Sequence, residues 1–172
     1  MDLLTNSIAS GASYGRYDYP KCAPSTRVAI LEHIMTWIRD LQKLYLFMWL
    51  YGPVGAGKST IAQTIAELCS EADLLAASFF FSTFITSTDE SRLIPTLVYQ
   101  LCLSMPAIRK YVEDTIEQDP SVLSGSLQAQ MSSLMIDPLR RALLDDKDAM
   151  SLRSSPKIII IDGLDECKTA EV

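Results

Sequence analysis

A chain of 172 residues is long enough for one domain with a real core and too short for two full ones. Apolar residues at 48% and charged residues at 21% describe a globular chain and exclude a disordered one. The formal net charge of −6 argues against a nucleic-acid binder, which needs surplus Lys and Arg to neutralise phosphates, but leaves open a small anion held by a few local groups.

Residues 1–22 are rich in Ser, Gly, Tyr and Asp without periodicity and read as a flexible lead-in, leaving 23–172 for the domain. The lead-in has no basic n-region and no long apolar stretch, so no secretory signal is expected. From Ser25 to Lys43, the residues Val28, Leu31, Ile34, Met35, Ile38 and Leu41 recur every three or four positions and paint one helical face. Pro24, Ser25 and Thr26 supply its start signals. Leu44–Tyr51 is continuously apolar and stops at Gly52-Pro53, which reads as a strand buried on both faces. It falls far short of the ~20 residues a membrane helix needs.

A helix over about 58–70 should turn Ile61, Ile65, Leu68 and Cys69 inward, and Ala76–Phe81 reads as a second buried strand. The polar stretch Thr83–Ser91 leads into a helix carrying Leu93, Ile94, Leu97, Val98 and Leu101, with Pro95 tolerated in its first turn. Helices are expected around 106–117 and 126–145, the latter broken at Asp137-Pro138. Lys157–Asp162, four isoleucines ending in a carboxylate, is the third buried strand. Strands alternating with helices specify an α/β architecture with a mostly parallel sheet.

The four cysteines, Cys22, Cys69, Cys102 and Cys167, form no CxxC pair, and His33 is the single histidine. Neither a zinc site nor a disulfide framework is expected, and idle thiols fit a reducing, cytoplasmic setting. His33 reads as a surface residue on its helix. Trp37, Trp49 and the Phe79–Phe81 run read as core packing, Met131 and Met135 as core filler, and Asp145–Asp148 as a solvated loop.

Gly52-Pro53-Val54-Gly55-Ala56-Gly57-Lys58-Ser59 matches GxxxxGK[ST] at every fixed position, between an apolar run and an amphipathic helix. Glycines let the backbone curl so that successive N–H groups face phosphate oxygens without a Cβ in the way. The following helix N-terminus favours an anion. Lys58 suits the β- and γ-phosphates, the Ser59 hydroxyl suits Mg²⁺, and Thr60 stands next to both, within reach of the α-phosphate. A hundred residues on, Asp162-Gly163-Leu164-Asp165-Glu166 closes the isoleucine strand in the manner of a Walker B element. A carboxylate there sits at the rim where open α/β sheets bind ligands. Asp162 can hold Mg²⁺ through water, and either Asp165 or Glu166 can orient or deprotonate an attacking water.

With both elements present, the chain resembles the NACHT and nephrocystin-like branch of the STAND signalling NTPases, in particular the fungal NOD-like receptor set. The resemblance rests on Cys22–Arg27, Leu50–Ser59, Ala77–Ser82, Leu93–Leu101 and Ile160–Cys167, and spans residue 14 onward. It implies a P-loop three-layer sandwich and a module that binds ATP or GTP with Mg²⁺, hydrolyses it weakly and switches signalling assembly through protein partners. It also implies that Thr26 and Arg27 lie near the base or ribose. Relatives carry an arginine where this chain has Thr83, and they continue beyond Walker B with a strand that lies between the phosphate-loop and Walker B strands. The expectation is therefore a truncated domain, with a gap or a direct pairing between those strands and marginal stability. Two rival readings are a P-loop kinase, against which the Asp-Gly-Leu-Asp-Glu cluster speaks, and a non-catalytic nucleotide-binding or interaction module.

Overall fold

The computed structural model describes residues 20–81, 90–153 and 157–166. The lead-in up to residue 19, Thr83 and Cys167 lie outside them. Helix α1 (Val28–Arg39) keeps the apolar stripe the sequence paints, burying Ile34, Met35 and Ile38, while Val28 and Leu41 stay exposed. His33 is exposed as expected. Helix α2 (Lys58–Glu71) buries Ile61, Ile65 and Cys69 against that stripe, and Leu68 stands at its exposed margin.

After a turn at 72–74 the chain enters β1 (Leu75–Phe80), which pairs in parallel with β2 (Ile158–Asp162), from Leu75 opposite Ile158 to Phe80 opposite Asp162. A bulge between Leu75 and Ala77 sets two β1 residues against one step of β2. The Lys157 ammonium donates to the Asp73 carbonyl at 2.8 Å and its carboxylate at 3.0 Å, clamping the entrances of both strands. The far edge of β1 is closed by α3 (Leu93–Ser104): the Gln100 side-chain amide accepts from the Ser78 N–H and donates to the Ser78 carbonyl, each at 2.9 Å. Ser104 adds a hydroxyl donor to the Ala76 carbonyl at 2.8 Å. One side chain thus stands in for a neighbouring strand. Pro95 occupies the first turn of α3, as its missing N–H requires.

Next come α4 (Arg109–Gln118), α5 (Leu127–Gln130), a π-helical stretch (Met131–Ile136), α6 (Asp137–Leu144) and α7 (Asp146–Arg153). The break expected at Asp137-Pro138 is a widened turn instead of a stop. Pro138 has no N–H to give and its ring would crowd the carbonyl four residues back, and the π-helical turn just before it relieves both. Met135 is buried there but Met131 is exposed. The acidic run after α6 is not a free loop: Lys110 pairs with Asp145 at 3.4 Å and Asp148 at 2.9 Å, and α7 begins inside it.

Two apolar clusters lie against opposite faces of the sheet. Ala77, Phe79 and Phe81 join α3, α4 and the π-helical stretch, whereas Leu75, Ile158 and Ile160 join α1 and α2. The described residues thus form an α/β fold, mostly helical, around a two-stranded parallel sheet.

Two strand expectations need correction. Leu44–Tyr51 forms no strand, and most of its side chains face solvent, with Leu44 91%, Phe47 92% and Trp49 75% exposed, while Leu50 alone is half-buried against the α1 and α2 cluster. Trp49 is therefore not core, and Trp37 is only half-buried, under the Lys43 ammonium at 4.9 Å. An apolar run becomes a buried strand only when another strand takes up its backbone hydrogen bonds, and none among the described residues pairs with it. β2 is likewise half-buried, with Ile159 and Ile161 38% and 39% exposed.

Candidate functional site

Residues 52–56 make an exposed loop closed by a turn in which the Ala56 N–H donates to the Pro53 carbonyl at 3.2 Å. Gly55 and Gly57 both have positive φ, +78° and +79°, a conformation that costs other residues strain. Gly57 is the N-cap of α2, and no side chain there occupies the free N–H groups of the first helical turn. The Lys58 ammonium reaches back over the loop and donates to the carbonyls of Gly52 at 3.0 Å and Pro53 at 3.3 Å. An ammonium has three donors, so one remains directed elsewhere. Val54 is fully extended into solvent, and Ser59 and Thr60, half-buried, stand in the first turn of α2.

Asp162 ends β2, a strand that packs beside this helix. The short turn at 72–74 sends β1 back along the α2 it packs on, and the two elements have nearly equal lengths, ~21 Å and ~20 Å. The start of α2 and the end of β1 therefore share one end of the layer. The Phe80–Asp162 register adds the carboxylate to it. Asp162 is half-buried, while Asp165 and Glu166 are exposed on a single 3-10 turn closed by the Glu166 N–H on the Gly163 carbonyl at 2.8 Å. Gly163 is obligatory for packing: with φ +72°, a Cβ there would stand 2.7 Å from the Phe81 carbonyl oxygen.

Thr26 and Arg27 precede α1. Thr26 closes a turn, its N–H and hydroxyl both donating to the Ala23 carbonyl, at 3.0 and 2.6 Å. Arg27 reaches the loop itself, donating from Nη1 to the Gly57 carbonyl at 3.2 Å. Nothing in the sequence pattern links residues 30 apart, so this contact was not legible beforehand. The segment before them is also fastened to α2, through Lys21 to Glu67 at 2.9 Å and the Cys22 N–H to the Thr64 hydroxyl at 3.0 Å. Beside it lies an open groove of about 650 Å³ lined by Thr26, Leu31, Met35, Thr64 and Leu68, which includes no residue of the loop.

The donor set at the shared end comprises loop amides, an ammonium, a hydroxyl and one or more carboxylates. Among the described residues no group of three or more His, Cys, Asp or Glu side chains could hold a metal. A cation here would take Ser59 and Asp162 and complete its shell with water and ligand phosphates, which suits Mg²⁺. No helix among the described residues is long and apolar enough to cross a membrane.

No curated protein and no solved structure gives a match. The family model described as Nephrocystin 3, N-terminal, matches residues 26–172, from Thr26 through the loop to the last residue. That stretch takes in most of the chain and both halves of the candidate site, so the protein belongs to the nephrocystin 3 N-terminal family, which is related to NACHT and STAND-type domains.

Proposed function

We propose that the chain binds a nucleoside triphosphate, ATP or GTP, with Mg²⁺, hydrolyses it weakly, and serves as the switch module of a STAND-type signalling protein of the fungal NOD-like receptor kind. The observation that carries this reading is the loop 52–59, whose lysine ammonium is held over the mouth by two backbone carbonyls at the uncapped start of α2. Gly52, Pro53, Val54, Gly55, Ala56, Gly57 and Thr60 would wrap the phosphates. Lys58 would neutralise them, and Ser59 and Asp162 would share the metal. Asp165 and Glu166 would orient or deprotonate a water, their exposure leaving room for one. The reading requires a P-loop three-layer sandwich, in keeping with clusters on both sheet faces. It also implies protein partners and a cytoplasmic location.

A second reading, a non-catalytic nucleotide-binding or interaction module, draws support from the exposed Leu44–Tyr51 run, because the arm entering the loop is not held in a sheet. Titration with a fluorescent ATP analogue, with and without Mg²⁺, tests the binding claim. Mg²⁺ should tighten binding to the wild type, and Asp162→Asn should abolish that gain. Equal tightening in both proteins would remove Asp162 from the metal. Phosphate release above background separates the switch from the non-catalytic module.

A further inference from the structure

We infer that Arg27 is a positioning residue for the phosphate loop, pinning the Gly57–Lys58 peptide from outside the loop instead of touching the base or ribose. The inference rests on the nucleotide-binding reading of that loop. Its geometric basis is the double use of the Gly57 carbonyl, which accepts the first helical bond of α2 from the Ile61 N–H at 3.0 Å and the Arg27 Nη1 donor at 3.2 Å. The guanidinium also fills the space a side chain would need, its atoms 2.6–2.9 Å from where a Cβ on Gly57 would stand. A peptide unit is planar, so fixing the Gly57 carbonyl fixes the opposed Lys58 N–H, one of the amides at the mouth of the loop.

The rest of the segment points the same way. Lys21 meets Glu67, Cys22 meets Thr64, and Arg27 meets Gly57, so the contacts step down one face of α2 at helical spacing to its N-terminus. Arg27 is the N-cap of α1 and holds φ +58°, a strained conformation for a non-glycine residue, while its own carbonyl accepts the Leu31 N–H at 3.1 Å. The two helix starts are joined cap to cap. Thr26 holds the turn that presents the arginine, through its bonds to Ala23.

Competition against a fluorescent ATP analogue, using ATP and inorganic tripolyphosphate on the full chain with Mg²⁺, separates the possibilities. Arg27→Ala should weaken both competitors by the same factor, about tenfold for a lost charge-assisted hydrogen bond. Arg27→Lys, which keeps a cation and a donor, should recover part of the loss. In the ligand-free chain, exchange of the Ile61 amide, which the Gly57 carbonyl holds, should be faster in Arg27→Ala than in the wild type or Arg27→Lys. Loss confined to ATP would place Arg27 on the base or ribose and overturn the inference. Loss for both competitors with unchanged ligand-free exchange would make it a direct phosphate ligand and also overturn it. If Lys58→Ala left tripolyphosphate binding intact, the phosphate-loop reading would fail instead, while the ligand-free exchange would still decide whether Arg27 holds the peptide.

Discussion

At Gly163 the end of β2 passes so close to Phe81 that a single methyl group has nowhere to go, and its positive φ adds strain for any other residue. Gly163→Ala is expected to cost about 2 kcal/mol or more, seen as a lower urea midpoint; an unchanged midpoint would contradict the packing described here. The buried thiols make a second prediction at this scale. Burial pushes Cys69 and Cys102 each from 9.0 up to about 11. The unfolded chain therefore loses these protons first as pH rises, so the stability linked to both groups is intact below about pH 9 and declines toward pH 11. Replacing both with Ala should flatten that part of a stability–pH curve, and an equal decline in the double variant would assign it elsewhere. Much of the candidate site was readable at this level, because Gly52–Ser59 carries its whole pattern within eight consecutive residues. The contact of Arg27 with the loop was not legible for the opposite reason, since its partner Gly57 is distant in sequence and only packing of α1 on α2 brings them together.

Helices α1, α2 and α3 follow the periodicity of their residues, and strands β1 and β2 follow their apolar runs, both local signals. Leu44–Tyr51 shows where that signal stops: an apolar run states that a segment can be buried, not that a neighbour exists to bury it. Gln100 is the reverse case. It looks like an ordinary helical residue, yet its amide closes the outer edge of β1 at both the N–H and the carbonyl of Ser78. Gln100→Leu should cost about 1–3 kcal/mol by leaving two half-buried backbone groups unpaired. Gln100→Glu should also destabilise, because a carboxylate has no proton to give the Ser78 carbonyl. Chemical denaturation of both variants checks this, and wild-type stability in either would refute the edge-closing role. On the β2 side, the parallel pattern turns the N–H and carbonyl groups of Ile159 and Ile161 away from β1, where no described strand receives them.

Across the molecule, one half is a well-filled core between the sheet and α3–α6, including Ile94, Val98, Ile108 and Leu134, all fully buried. The other half is thinner, and next to it the exposed Leu44–Tyr51 run carries no charge, proline or glycine. Such a run is prone to strand-like association. Sedimentation should therefore show mass rising with concentration, and replacing Leu46 and Phe47 with Asp should suppress it; a wild-type chain that stays monomeric throughout would contradict this. The nucleotide claim rests on a different part of the molecule, where Lys58 leans over the loop at the start of α2. The most direct measurement is Mg²⁺-dependent ATP affinity of the wild type beside Lys58→Ala. Removing the ammonium is expected to weaken binding by about 10- to 100-fold, the worth of charge-assisted bonds to phosphate; equal affinity in the two proteins would contradict the account.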